Sequence, residues 1–156
     1  DGGPGFARLI ETMRNLHAPL TETLALLDQF CFNYLIGNAD AHAKNYSVVY
    51  RNRKPQLSPL YDAVSTIVYP DLSRDLAMSI GGEMSVERIT REHFAALSES
   101  CGLASKLFLA RLDALAARIV GVAEVLARRL SADCASPVYG KILEVIAKQV
   151  ERAMML

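Results

Sequence analysis

Apolar residues recur at helical spacing over both ends of the chain, and the pattern stops between Asn38 and Pro59. The fold must therefore place helical blocks on either side of a polar, partly extended segment. From residue 6 to about 17, Leu9, Ile10 and Met13 predict a first helix, closed by Pro19. Thr21 reads as the N-cap of a second, on which Leu24, Leu27, Phe30, Cys31, Tyr34 and Leu35 make one broad apolar face ending at Gly37. So wide a face predicts a buried helix.

Beyond Asn38 comes a polar loop, then a β-like run at residues 46–50, a basic turn at 51–55 and another short extended piece, which together read as a small hairpin. Residues 63–83 look irregular, broken by Pro70 and the Gly81, Gly82 pair, with one strand at 76–80. The rest is helical: Thr90 caps a helix to about Ser100, residues 104–130 form a long Ala-, Leu- and Arg-rich helix with Arg128 and Arg129 near its negative end, and Ser136 or Pro137 starts a terminal helix. No repeat of 20 to 50 residues suggests a solenoid. The expected class is mainly α with a small β-hairpin.

The polar loop reads Asn38-Ala39-Asp40-Ala41-His42-Ala43-Lys44-Asn45, and Leu57-Ser58-Pro59-Leu60-Tyr61-Asp62 follows the hairpin. Phosphoryl transfer from a nucleotide needs a carboxylate to take or orient the attacking hydroxyl's proton, and oxygen ligands to hold magnesium against the phosphates. Asp40 and Asn45 have the D-x-x-x-x-N spacing of a kinase catalytic loop, and the hairpin would fold back to deliver Asp62 beside Asn45. Alone, that spacing has little specificity.

The longer wording F-N-Y-L-I-G-N-A-D-A-H-A-K-N-Y-S, followed by L-S-P-L-Y-D, closely resembles the signature of HipA-like serine/threonine kinases, and L-A-M-S-I-G-G at residues 76–82 and Gly2-Gly3-Pro4 resemble the same family more weakly. The resemblance implies a protein-kinase-like C-terminal lobe whose hairpin carries the catalytic and metal-binding loops. It implies Asp40 as the catalytic aspartate, Asn45 and Asp62 as magnesium ligands, ATP as phosphate donor, a protein hydroxyl as acceptor and a small helix-turn-helix antitoxin as partner. His42 and Lys44 stand where ordinary kinases carry one lysine two residues after the aspartate. Lys44 is a candidate to neutralise phosphate charge, and His42 to position Asp40 or the phosphate.

No Gly-rich phosphate loop, V-A-I-K-like strand lysine or partner glutamate region occurs in these 156 residues. The expectation is one lobe, residues 1–156, of a longer kinase whose nucleotide-gripping lobe lies elsewhere, and a fragment inactive by itself. The opening at Asp1 without an initiator methionine agrees with that reading.

Seventeen basic and seventeen acidic side chains cancel, so no overall field draws the chain to nucleic acid or anionic lipid. No apolar run approaches the roughly 18 residues of a membrane span, and Cys31, Cys101 and Cys134 form no C-x-x-C pair, so neither zinc nor a disulfide framework is expected and a reducing cytoplasm is the simplest compartment. Two alternatives stay open: a non-catalytic module that docks the antitoxin, and a metal-dependent hydrolase using Asp40, His42 and Asp62. His17 and His93 are expected to be solvated, Tyr61 to pack in the core, Arg51, Arg53 and Lys54 to form a solvated hairpin tip, and the apolar stripe of the long C-terminal helices to be core first and interface second.

Overall fold

A computed structural model describes residues 3–155; Asp1 and Gly2 of the expected opening turn lie outside the described residues. Five helices, α1 (Phe6–Asn15), α2 (Leu20–Leu35), α3 (Arg91–Ser100), α4 (Ser105–Asp133) and α5 (Val138–Met154), enclose two antiparallel hairpins, β1 (Val48–Arg51) with β2 (Lys54–Leu57) and β3 (Asp75–Ile80) with β4 (Glu83–Ser85). Short 3-10 turns at Ala43–Asn45 and Thr66–Val68 link these pieces.

α2 is the buried centre. Leu26, Leu27, Phe30, Cys31, Tyr34 and Leu35 all face inward, and their rings meet those of neighbouring helices: Phe6 of α1 stacks 4.0 Å from Phe30, and Phe94 of α3 meets Tyr34 edge-on at 5.0 Å. Such pairs add about 0.5–1.5 kcal/mol beyond their burial. Thr21 does not cap α2, which begins at Leu20 with Pro19 at the N-cap position, two residues before Thr21. Proline's fixed φ suits a helix start, where its missing N–H costs nothing.

The α2 face carries its polar ties outward. Asp28 pairs with Arg111 of α4 through two hydrogen bonds, one of 2.6 Å, and the fully buried Gln149 of α5 donates to the Tyr34 carbonyl at 3.4 Å while accepting from Arg152 at 2.8 Å. Burying an amide is tolerable only with both ends satisfied. These contacts fix the C-terminal end of α2, from which the polar loop departs.

The first hairpin matches expectation, with Val48 opposite Leu57 and Arg51 opposite Lys54. Its turn places Asn52 and Arg53 at φ 51° and 61°, the left-handed pair that matches strand twist in a two-residue connection. Arg51, Arg53 and Lys54 form an exposed tip. The stretch read as irregular contains a second hairpin: Gly81 and Gly82 are its turn, not simple breakers, at φ 58° and 88°. A Cβ on Gly81 would sit 2.4 Å from the His93 carbonyl oxygen, so the turn packs directly on α3. His93 is correspondingly half-buried, not solvated, and its Nδ1 accepts the Thr90 N–H at 3.1 Å, capping α3. His17 is exposed as expected.

α4 buries Phe108, Leu112, Ala116 and Ile119, but its last three turns leave Val122, Leu126 and Leu130 exposed along an apolar groove of about 280 Å³ shared with α5. No helix among the described residues is long and apolar enough to cross a membrane.

Candidate active site

At the end of α2 the chain turns at Gly37, whose φ of 72° and crowded setting against Val145 and Ile67 leave no room for a side chain. Asn38 and Ala39 follow, both buried. The Ala39 N–H donates to Thr66 Oγ1 at 2.8 Å, the Thr66 hydroxyl donates back to the Gly37 carbonyl at 3.3 Å, and the Ala39 carbonyl accepts the Ala77 N–H of β3 at 2.7 Å. The loop is thus clamped between the second hairpin and the 3-10 turn at Thr66–Val68. Its next residue, Asp40, projects to the surface beside an open cleft of about 440 Å³ lined also by Thr66, Ser73 and Asp75.

Asp40 makes no side-chain hydrogen bond or ion pair among the described residues; its carbonyl accepts the His42 N–H at 2.8 Å. His42 is half-buried, its shielded Nδ1 has no hydrogen-bond partner among the described residues, and its own N–H also lies 3.1 Å from Asn45 Oδ1. Lys44 is exposed, and its carbonyl accepts the Tyr61 hydroxyl at 2.6 Å. Asn45 is buried at the end of the 3-10 turn.

The hairpin then folds back. Ser58 N–H closes it on the Ser47 carbonyl at 2.8 Å, Gln29 of α2 donates to the Ser58 carbonyl at 2.9 Å, and Glu22 accepts the Leu57 N–H at 2.7 Å. With the return strand pinned to α2, Asp62 arrives beside Asn45: Asn45 Nδ2 donates to Asp62 Oδ2 at 2.5 Å. Asp62 takes a left-handed backbone, φ 55°. Tyr61 does not pack in the core; it is exposed, and because its one proton goes to Lys44, the Ser47 hydroxyl 2.7 Å away donates to it.

Asn45 and Asp62 are thus brought together, while Asp40 shares no hydrogen bond with either. The pair offers an amide oxygen and a carboxylate, the hard oxygen donors that magnesium takes, in the small number it uses when phosphates and water complete its shell. Among the described residues no three His, Cys, Asp or Glu side chains form a group that could hold a metal ion.

Asn33, Asn38 and Tyr46 stand within the signature stretch, but its spacing gave no sign of the part each has in shaping the site. Asn38 Nδ2 donates to Asn33 Oδ1 at 2.9 Å and to the Asp62 carbonyl at 3.0 Å. Asn33 Nδ2 donates to the Gln29 carbonyl at 3.1 Å and the Tyr46 hydroxyl at 3.3 Å. Burial pushes the Tyr46 phenol well above its ordinary range, opposed by that bond from Asn33. It stays protonated at any physiological pH.

Against known proteins, residues 2–123 match the model of the HipA-like C-terminal domain. The chain is 38% identical over 131 residues (83% of this chain, 30% of the relative) to Y4mE of Sinorhizobium fredii, which carries a provisional kinase name. It is 35% identical over 125 residues (80% of this chain, 29% of the relative) to the serine/threonine-protein kinase toxin HipA of Shewanella oneidensis. Its fold matches a chain of the Shewanella oneidensis complex of HipA, HipB and operator DNA with a TM-score of 0.81 at 30% identity, over 96% of this chain and 35% of that one. A mainly helical unit with two small hairpins is therefore shared with a solved HipA complex. The chain belongs to the family of HipA-like C-terminal domains, and it spans about a third of the length of the curated relatives it matches.

Proposed function

We propose that this chain is the lobe of a serine/threonine-protein kinase that presents the catalytic and metal-binding loops, acting on ATP once joined to a lobe that grips the nucleotide. The observation that carries the reading is the 2.5 Å contact between Asn45 and Asp62, made across 17 positions by the folded-back hairpin. In the transfer, the acceptor hydroxyl's oxygen bonds to the γ-phosphorus as the bond to the bridging oxygen breaks, ADP leaves, and the hydroxyl proton passes to Asp40. Asp40 is exposed, as a carboxylate that must meet an incoming protein has to be.

Asn45 and Asp62 would hold magnesium, which when bound neutralises phosphate charge. Lys44, exposed on the same turn, supplies a compact cation for the phosphates, and His42, whose N–H reaches Asn45, orders the loop around them. Catalysis of this kind consists mostly of positioning and charge stabilisation, so the 156 residues alone are expected to transfer no phosphate. In the intact kinase, Asp40→Gln should lower the transfer rate by roughly 10²- to 10⁴-fold; undiminished transfer removes the role given to Asp40.

A second, compatible reading is that this lobe docks a helix-turn-helix antitoxin. It draws on the structural neighbour, described as HipA with HipB and operator DNA, and on the exposed apolar face of α4. Co-purification of the chain with such an antitoxin supports it, and binding only by the intact kinase places the contact elsewhere.

A further inference from the structure

We infer that Asn38 is a positioning residue for the metal-binding pair: its buried side-chain amide ties the backbone of Asp62 to the loop that presents Asp40. The inference rests on the kinase reading only for what the pair binds. Asn38 stands two residues before Asp40, and its side chain points away from the surface, 4% exposed. Both amide protons are committed, one to the Asp62 carbonyl at 3.0 Å and one to Asn33 Oδ1 at 2.9 Å.

The second bond decides the orientation. An amide can be flipped end for end with little change of shape, but with Asn33 Oδ1 facing it only the nitrogen end fits. Asn33 is in turn fixed, because both of its own protons go to Gln29 O and to the hydroxyl of Tyr46, the residue after Asn45. The chain of bonds therefore runs from α2 to Asp62 and touches the Asn45 side of the pair on the way.

Asp62 needs such a tie. Its φ of 55° is a conformation that non-glycine residues adopt only when neighbours hold them there, and Asp62 is otherwise exposed. The Asn38 amide grips its carbonyl, and Asn45 grips its carboxylate at 2.5 Å. Removing the first grip leaves the Asp62 carbonyl and the buried Asn33 Oδ1 without that donor and lets the peptide rotate, so the carboxylate no longer meets Asn45 in a preset geometry. Aspartate at position 38 has the same shape and fails differently, by setting an oxygen against two oxygens.

The test uses this chain in two states. In the metal-free protein, backbone NMR shifts and the HN–Hα coupling of Asp62 report its left-handed conformation; Asn38→Ala and Asn38→Asp should move them toward the ordinary range, while shifts in α3 and α5 stay put. Superimposable Asp62 signals in both variants overturn the proposal whatever the site binds. With Mn²⁺ as probe, saturable broadening at Asn45 and Asp62 should require roughly tenfold more metal in the variants, and affinity within twofold of the unmodified chain contradicts the positioning role. Asp62→Ala separates the two ideas: Mn²⁺ broadening that survives it refutes the metal pair and leaves the metal-free result to judge Asn38. Should alanine unfold the chain, Asn38→Ser, which keeps one donor, carries the same measurements and should fall between.

Discussion

Replacing Gly37 by alanine tests how tightly the candidate site is held to the helical core. The new Cβ would lie 2.5 Å from Val145 Cγ1 and 2.6 and 2.7 Å from Ile67 Cγ1 and Cδ1, at a backbone φ of 72°. The left-handed conformation costs alanine about 1–2 kcal/mol, and forcing a methyl into a packed core costs about 1–3 kcal/mol more, for a sum of about 2–5 kcal/mol. Urea unfolding reads this directly: with a slope of about 2 kcal/mol/M, the midpoint should fall by roughly 1–2.5 M. Adding Val145→Ala removes the shortest contact, so the double variant should be more stable than the two single penalties predict, by about 0.5 kcal/mol or more, while the backbone part of the loss persists. A Gly37→Ala chain within about 0.5 kcal/mol of the unmodified one, or strictly additive penalties, would show that Val145 and Ile67 give way freely and that the loop is not clamped as described.

Two further expectations follow from named contacts. Thr66→Val strands the Ala39 N–H and removes a donor from the Gly37 carbonyl, at a cost of about 1–3 kcal/mol; hydrogen exchange at Ala39 should accelerate well beyond that at Leu27, and equal protection refutes the clamp. Hydrogen bonds from Arg91 hold the Asp113 carboxyl below its usual 3.8, and those from Arg88, with backbone N–H bonds, hold Glu83 at about 2 against an ordinary 4.5. Depressed folded-state values mean a stabilisation fully present above the ordinary values and lost as pH falls toward the folded ones. Between pH 4.5 and 2 stability should therefore decline, and Asp113→Asn should flatten part of that decline; an unchanged slope contradicts the pairing.

How far the sequence anticipated this arrangement depends on the range of the forces involved. The apolar face of α2 and the hairpin with its basic turn at residues 51–55 follow from local periodicity and turn chemistry, which neighbouring residues determine, whereas the return of Asp62 to Asn45 was legible only through the order of loop, hairpin and aspartate in a kinase. The second hairpin escaped because β4 has only three residues, Glu83–Ser85, too few to show alternation, and its register with β3 is irregular. Asn38, Thr66 and Tyr61 act through long-range hydrogen bonds to groups 14 to 29 positions away, and no spacing rule encodes such a bond. Tyr61 illustrates the limit: an aromatic ring beside Asp62 suggests core packing, yet its hydroxyl, braced by Ser47 and Lys44, keeps it at the surface. Thr21 yielded to Pro19 because a fixed φ can start a helix as well as a capping hydroxyl can.

The most direct measurement is a crystal structure of the full-length protein with a non-hydrolysable ATP analogue and manganese, located by its anomalous signal. The account predicts one manganese about 2.1 Å from oxygens of both Asn45 and Asp62, bridging to the phosphates, with the Asp40 carboxylate within about 3–4 Å of the site where an acceptor hydroxyl would approach the terminal phosphate. Manganese bound away from Asn45 and Asp62, or Asp40 directed away from the phosphate chain, would contradict it.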